Sequence, residues 1–126
     1  MTPELKLYAP EGYWRLSAAE RAGICNGCGP KAAAFLVPET LWGLSVTAAC
    51  DIHDWMYHVG RTLEDKQRAD RVFLNNMLRI IDARTRCRLL KRLRRDRAWL
   101  YYAAVRDFGG PWYWHGKNPT NEERSV

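Results

Sequence analysis

Between residues 45 and 84 the chain carries two long helical patterns separated only by the link Gly60-Arg61-Thr62, and this pairing limits the fold more than any other feature. Ser45 is placed to cap the first, SVTAACDIHDWMYHVG, on which Val46, Cys50, His53 and Tyr57 recur at i, i+4, i+7 and i+11 and share one face. Thr62 with Asp65 three residues later has the form of a capping box and opens the second, TLEDKQRADRVFLNNMLRIIDAR. Its inward face takes Phe73, Leu74, Met77 and Ile81, and Asp70 falls on that same face. A link this short folds the two helices back as an antiparallel pair.

His53 lies about two turns before the bend and Asp70 about two turns after it, so at about 1.5 Å per residue they reach comparable depth. A charged, unpaired carboxylate at the edge of a core costs on the order of several kcal/mol. A hydrogen bond from His53 to Asp70 is the economical solution; the alternative is that backbone or water satisfies each separately. Asp54 follows His53 directly and is turned about 100° around the helix. The glycine-bearing stretch Gly27 to Lys31 is a candidate cover for that flank. Hard cations such as calcium take oxygen ligands, and a loop of this kind exposes carbonyls to supplement one carboxylate.

The remaining segments also read as helical, so the expected fold class is all-α, a small single domain. A chain of 126 residues can bury one core without metals or many staples, and no window approaches the length of apolar sequence that spans a bilayer. Ser17 and Glu20 form a second capping box, opening a short helix that should stop near Asn26 and Gly27. A fourth helix is expected from about Arg86 to Asp107, with Leu89, Leu93, Leu100 and Ala104 as its buried stripe and Gly109-Gly110-Pro111 as its end. The start, MTPELKLYAPEGYW, lacks a charged front followed by an apolar run, so no signal peptide is expected.

The net charge of +6 is local, because eight of the twenty basic residues lie in RTRCRLLKRLRRDR, residues 84–97. Clustered arginines suit anionic lipid headgroups or nucleic-acid phosphates, or they simply form a solvated face. No nucleic-acid recognition motif accompanies them. Four cysteines, Cys25, Cys28, Cys50 and Cys87, allow three complete pairings or a metal site. CNGC has zinc-like spacing, but no second C-x-x-C completes a zinc site. His53 and His58 are five apart, off a common face, which argues against the H-E-x-x-H arrangement.

Cys50, His53, Asp54 and Tyr57, preceded by GCGPK and followed by DKQRADRVF, resemble the secreted phospholipase A2 superfamily, in particular its prokaryotic and phage-like members. The match covers roughly residues 24–78. The resemblance implies a phospholipase A2-like helical domain, expected over 1–111, while residues 112–126 read as an aromatic, then polar, tail that either lies across the domain or ends in disorder. It implies that His53 is the general base that draws a proton from water, that Asp70 orients it, and that Tyr57 hydrogen-bonds Asp70. It also implies calcium bound by Asp54 and the main-chain carbonyls of Gly27, Gly29 and Lys31, with a disulfide from Cys28 to Cys50 holding loop to helix. The implied activity is hydrolysis of the sn-2 ester of glycerophospholipids; the basic run adds the expectation of an anionic membrane surface, and the protein is expected to be a monomer.

On that reading Arg88, Lys91, Arg92 and Arg95 would meet the membrane, helped by at most two of Trp42, Trp55, Trp112 and Trp114. The sequence departs from the family at Ala49 and Met56, where many members have cysteines, and at Lys31, where the vertebrate pattern has glycine. Two other classes fit less of the chain: a non-catalytic member binding a membrane or protein partner, and a nucleic-acid binder built on residues 84–97. Without a leader, the protein would act inside its cell or leave by a specialised route.

Overall fold

The computed structural model describes residues 5–24, 40–114 and 117. Its elements, in chain order, are α1 (Glu11–Trp14), α2 (Ala18–Ile24), β1 (Thr40–Leu41), β2 (Leu44–Ser45), α3 (Thr47–Val59), α4 (Leu63–Arg84), α5 (Arg88–Phe108) and α6 (Gly110–Trp114). The protein is mostly helical, and the all-α expectation needs one correction, the antiparallel hairpin of β1 and β2, with Thr40 opposite Ser45 and Leu41 opposite Leu44. Its two turn residues, Trp42 and Gly43, both have positive φ, 47° and 81°, the condition for a two-residue turn that matches strand twist. A bulky residue resists that conformation, so the turn is held from outside. Arg94 donates to the carbonyls of Leu41 and Trp42, at 3.1 and 3.0 Å, and the Tyr101 hydroxyl donates to Thr40 O at 2.7 Å.

Both capping boxes form. The Thr62 hydroxyl accepts from Asp65 N at 3.1 Å while the Asp65 carboxylate accepts from the backbone N–H groups of Arg61 and Thr62, so three donors at the start of α4 are satisfied. At α2, Ser17 and Glu20 exchange the same reciprocal bonds. Ser45, expected to cap α3, is instead the last residue of β2, and Val46 holds the N-cap position. The strand pairing draws Ser45 into the hairpin, although its hydroxyl still accepts a long 3.4 Å bond from Thr47 N.

Helices α3 and α4 run in opposite senses, as pairs across them show. Tyr57 lies beside Lys66 near the bend, and His53 stacks on Phe73 further from it. Helix α5 returns along α4 in the same manner: Lys91 and Arg95, near its start, face Asp82 near the end of α4, while Val105 and Arg106 face Lys66 near its beginning. Thr85, extended at φ −122° and ψ 122°, ends α4, and Arg94 donates to its hydroxyl at 2.8 Å.

The buried stripe expected on α5 is wrong in register. Ala98, Tyr101 and Val105 face inward, whereas Leu89 and Leu100 are 68% and 56% exposed and Leu93 and Ala104 are only half-buried. With Arg94 turned in to hold the hairpin and the Thr85 hydroxyl, the inner face runs 94, 98, 101, 105. Ala98 is fully buried there, in the apolar cluster that includes Phe73, Met77 and Ile81 of α4. The aromatic part of the C-terminal stretch also lies within the domain, since Tyr113 and Trp114 of α6 are buried.

Two apolar clusters result. One joins Leu41, Val46, Cys50, Phe73, Met77, Ile81, Ala98 and Val105; the other joins Tyr13, Ile52, Met56, Tyr57, Ala69, Tyr113 and Trp114. His53 touches both, stacked on Phe73 at 4.7 Å and tilted against Tyr57 at 4.2 Å.

Candidate active site

At the seam between the clusters, His53 Nε2 lies 2.8 Å from Asp70 Oδ1, and both side chains are 2% exposed. The inferred pair therefore exists, buried and direct, with no intervening atom. The Tyr57 hydroxyl donates to the same oxygen at 2.6 Å. Tyr57 is one turn after His53 on α3, which places both donors over one carboxylate on α4. Trp112 packs edge-on to the imidazole at 5.4 Å and tilted against the phenol at 4.6 Å, ring centre to ring centre.

A fourth participant was not foreseen. Lys66 is 1% exposed, and its ammonium donates to Asp70 Oδ2 at 2.9 Å and to the carbonyls of Val105 and Arg106 at 3.1 and 3.2 Å. The signal in the sequence is its place four residues before Asp70, which puts the two on one helix face. A lysine in a polar run, DKQR, ordinarily reads as solvated, and that composition conceals it.

The electrostatics favour an ionised carboxylate. Burial alone would push the Asp70 carboxyl up, but the hydrogen bond and charge of His53, the Lys66 ammonium and the Tyr57 hydroxyl outweigh it and hold the group below its usual range. Burial first, and then the neighbouring Asp70 charge, push the Tyr57 phenol well above its ordinary value, so it stays a donor. An ionised carboxylate only accepts, so in the neutral imidazole the proton is assigned to Nε2 and the Nδ1 lone pair is left as the base. Among the described residues Nδ1 makes no hydrogen bond.

Asp54 is buried on α3 beside this pair. The other expected calcium ligands, Gly27, Gly29 and Lys31, lie outside the described residues, as do Cys28 and Cys25. Cys50 is fully buried and is not a free thiol, whereas Cys87 is free and exposed. Among the described residues no three of His, Cys, Asp and Glu come together as a metal site, so a zinc-type centre is not built from them. A single buried carboxylate suits a site completed by main-chain oxygens, the donor set of a hard cation.

Of the four basic residues expected at a membrane, Arg88, Arg92 and Arg95 are exposed and Lys91 is half-buried. Arg95 and Lys91 both turn toward Asp82, at 2.6 and 3.9 Å, while Arg88 and Arg92 form no ion pair among the described residues. Of the four tryptophans named with them, Trp42 is exposed, Trp55 and Trp112 are half-buried and Trp114 is buried. Trp14 and Trp99, not anticipated, are also exposed. No helix is long and apolar enough to cross a membrane among the described residues. No family model, curated protein or solved structure matches the chain.

Proposed function

We propose that this protein is a calcium-dependent phospholipase A2-type hydrolase that cleaves the sn-2 ester of glycerophospholipids. The observation that carries the reading is the buried 2.8 Å contact between His53 Nε2 and Asp70 Oδ1, with the Tyr57 hydroxyl on the same oxygen. Such an arrangement holds the imidazole in one tautomer and one orientation, with Nδ1 available to take a proton from water as that water attacks an ester carbonyl. Asp70, kept ionised, stabilises the imidazolium that forms. The proton then passes from Nδ1 to the departing alkoxide, and the imidazole returns to its starting state.

Asp54, with the carbonyls of Gly27, Gly29 and Lys31, would hold the calcium ion, and a disulfide from Cys28 to Cys50 would keep that loop against α3. When bound, calcium supplies Lewis-acid polarisation of the ester carbonyl and charge stabilisation at the oxyanion. Asp54 fits this role as a buried carboxylate next to the base on the same helix.

The outward face of α5 suits an anionic bilayer, because Leu89, Trp99 and Leu100 are exposed on the helix that also exposes Arg88 and Arg92. The protein would act there as a monomer, without a specific nucleic-acid partner. The test is release of fatty acid from phosphatidylglycerol vesicles with calcium and with a chelator: calcium-dependent release supports the reading.

A second reading is favoured by the 2% exposure of His53 beneath Trp112. A non-catalytic protein of this fold would keep the same buried network for rigidity and bind a membrane or protein partner. It predicts folded protein that binds vesicles without turnover.

A further inference from the structure

We propose that Lys66 is a positioning residue of the His53–Asp70 pair, fixing the carboxylate from the side opposite the imidazole and tying it to the end of α5. The proposal rests on the hydrolytic reading only for its kinetic consequence; the positioning itself is a statement about the pair.

A buried ammonium must use its three donors, and Lys66 uses all of them: one on Asp70 Oδ2 and one each on the carbonyls of Val105 and Arg106. Those carbonyls belong to the last turn of α5, the negative end of the helix dipole, and the Val105 carbonyl accepts from Lys66 in addition to the Gly109 backbone N–H at 2.9 Å. Lys66 thus sits at a fixed point set by two helices rather than floating on one. Its phenyl-side neighbour is Tyr57, whose ring centre is 5.9 Å from Nζ.

The consequence for Asp70 is a division of labour between its oxygens. Oδ1 receives His53 and Tyr57; Oδ2 receives Lys66. A carboxylate held at Oδ1 alone can turn about its Cβ–Cγ bond and swing that oxygen off the imidazole, and the Lys66 contact opposes the turn. The ammonium also balances the carboxylate charge, adding to the hydrogen bond and charge of His53 in keeping Asp70 ionised against its burial. An ionised Asp70 is what keeps the imidazole proton on Nε2 and Nδ1 free.

The test uses the full chain carrying Lys66→Met, which keeps the buried stem and removes the donors. Two quantities are read in folded protein: kcat and KM on phosphatidylglycerol vesicles with calcium, and the downfield proton NMR signal of the His53 Nε2–H. The expected result is kcat reduced by about 10- to 100-fold with KM little changed, because misplacement of a catalytic group by about 1 Å costs as much as 100-fold. The downfield proton should shift or disappear. Lys66→Arg, which keeps a cation at the site so that Asp70 is not left uncompensated, should fold, recover part of the rate and show a displaced but present signal. It carries the test if Lys66→Met does not fold. A folded variant with the proton unmoved, or with kcat within twofold of the unaltered protein, overturns the proposal. If the unaltered protein shows no turnover, hydrolysis fails as a function and the NMR signal alone decides the role of Lys66.

Discussion

The Tyr57 hydroxyl lies 2.8 Å from the point where a Cβ on Gly109 would stand, so a residue without a side chain is what allows α5 to end against the phenol. The same Cβ would meet the carbonyl of Val105 at 2.4 Å, a contact that rigid backbone does not yield. Gly109→Ala is therefore expected to cost about 1–3 kcal/mol, the usual range for overpacking. It should also push Tyr57 away from Asp70. Chemical denaturation measures the first effect, and loss of the Tyr57 to Asp70 hydrogen bond in the variant's structure or hydroxyl NMR signal measures the second.

The Lys66–Asp70 ion pair predicts a strong and reciprocal stability effect. Removing the cation leaves a buried charge, so Lys66→Met should destabilise by about 3–5 kcal/mol. Adding Asp70→Asn removes the uncompensated charge and should recover much of that loss. The double-mutant cycle measured in urea checks it: additive losses would show that the two groups do not interact as the structure has them.

Stability should fall at both ends of the pH scale, for opposite reasons. The Asp70 carboxyl is held below its ordinary value of 3.8, so the unfolded chain binds the proton more readily. Its contribution is complete above that value and drains away as pH falls through the lower folded value. The Tyr57 phenol is raised well above 10.0, so the folded chain holds that proton more tightly. Its contribution is complete below pH 10 and is lost as the pH climbs beyond it. Melting temperatures across the two windows measure this, and Asp70→Asn should flatten the acid side.

The pairing of His53 with Asp70 was legible because two constraints met in one place. Capping at Thr62 set the register of α4, the short link set the direction of α3, and together they put His53 and Asp70 at one depth. The role of Lys66, and the contact of Gly109 with Tyr57, were hidden for a different reason. Each works through α5, and its register could not be read from leucine spacing, because the inward face is built from Arg94, Ala98, Tyr101 and Val105. The hairpin was missed on similar grounds, since two-residue strands carry no alternation to detect and Trp42 is an unusual choice at positive φ.

The misplaced leucines make a prediction of their own. Leu89→Ser and Leu100→Ser lie on the solvent side of α5 and should each change stability by no more than about 0.5 kcal/mol. Val105→Ser, at a buried position, should cost several times that. If the outer face of α5 meets anionic lipid, the two leucine variants and Arg88→Glu with Arg92→Glu should weaken vesicle sedimentation, the charge variants more at low salt than at high.

The most direct measurement is fatty-acid release from the sn-2 position of phosphatidylglycerol vesicles by the unaltered protein and by His53→Gln, each with millimolar calcium and with chelator. The account predicts release by the unaltered protein only in calcium, reduced by about 100- to 10,000-fold in the variant, the range for loss of a general base. Folded, unaltered protein that releases nothing in calcium, or a His53→Gln variant that releases as fast, would contradict it.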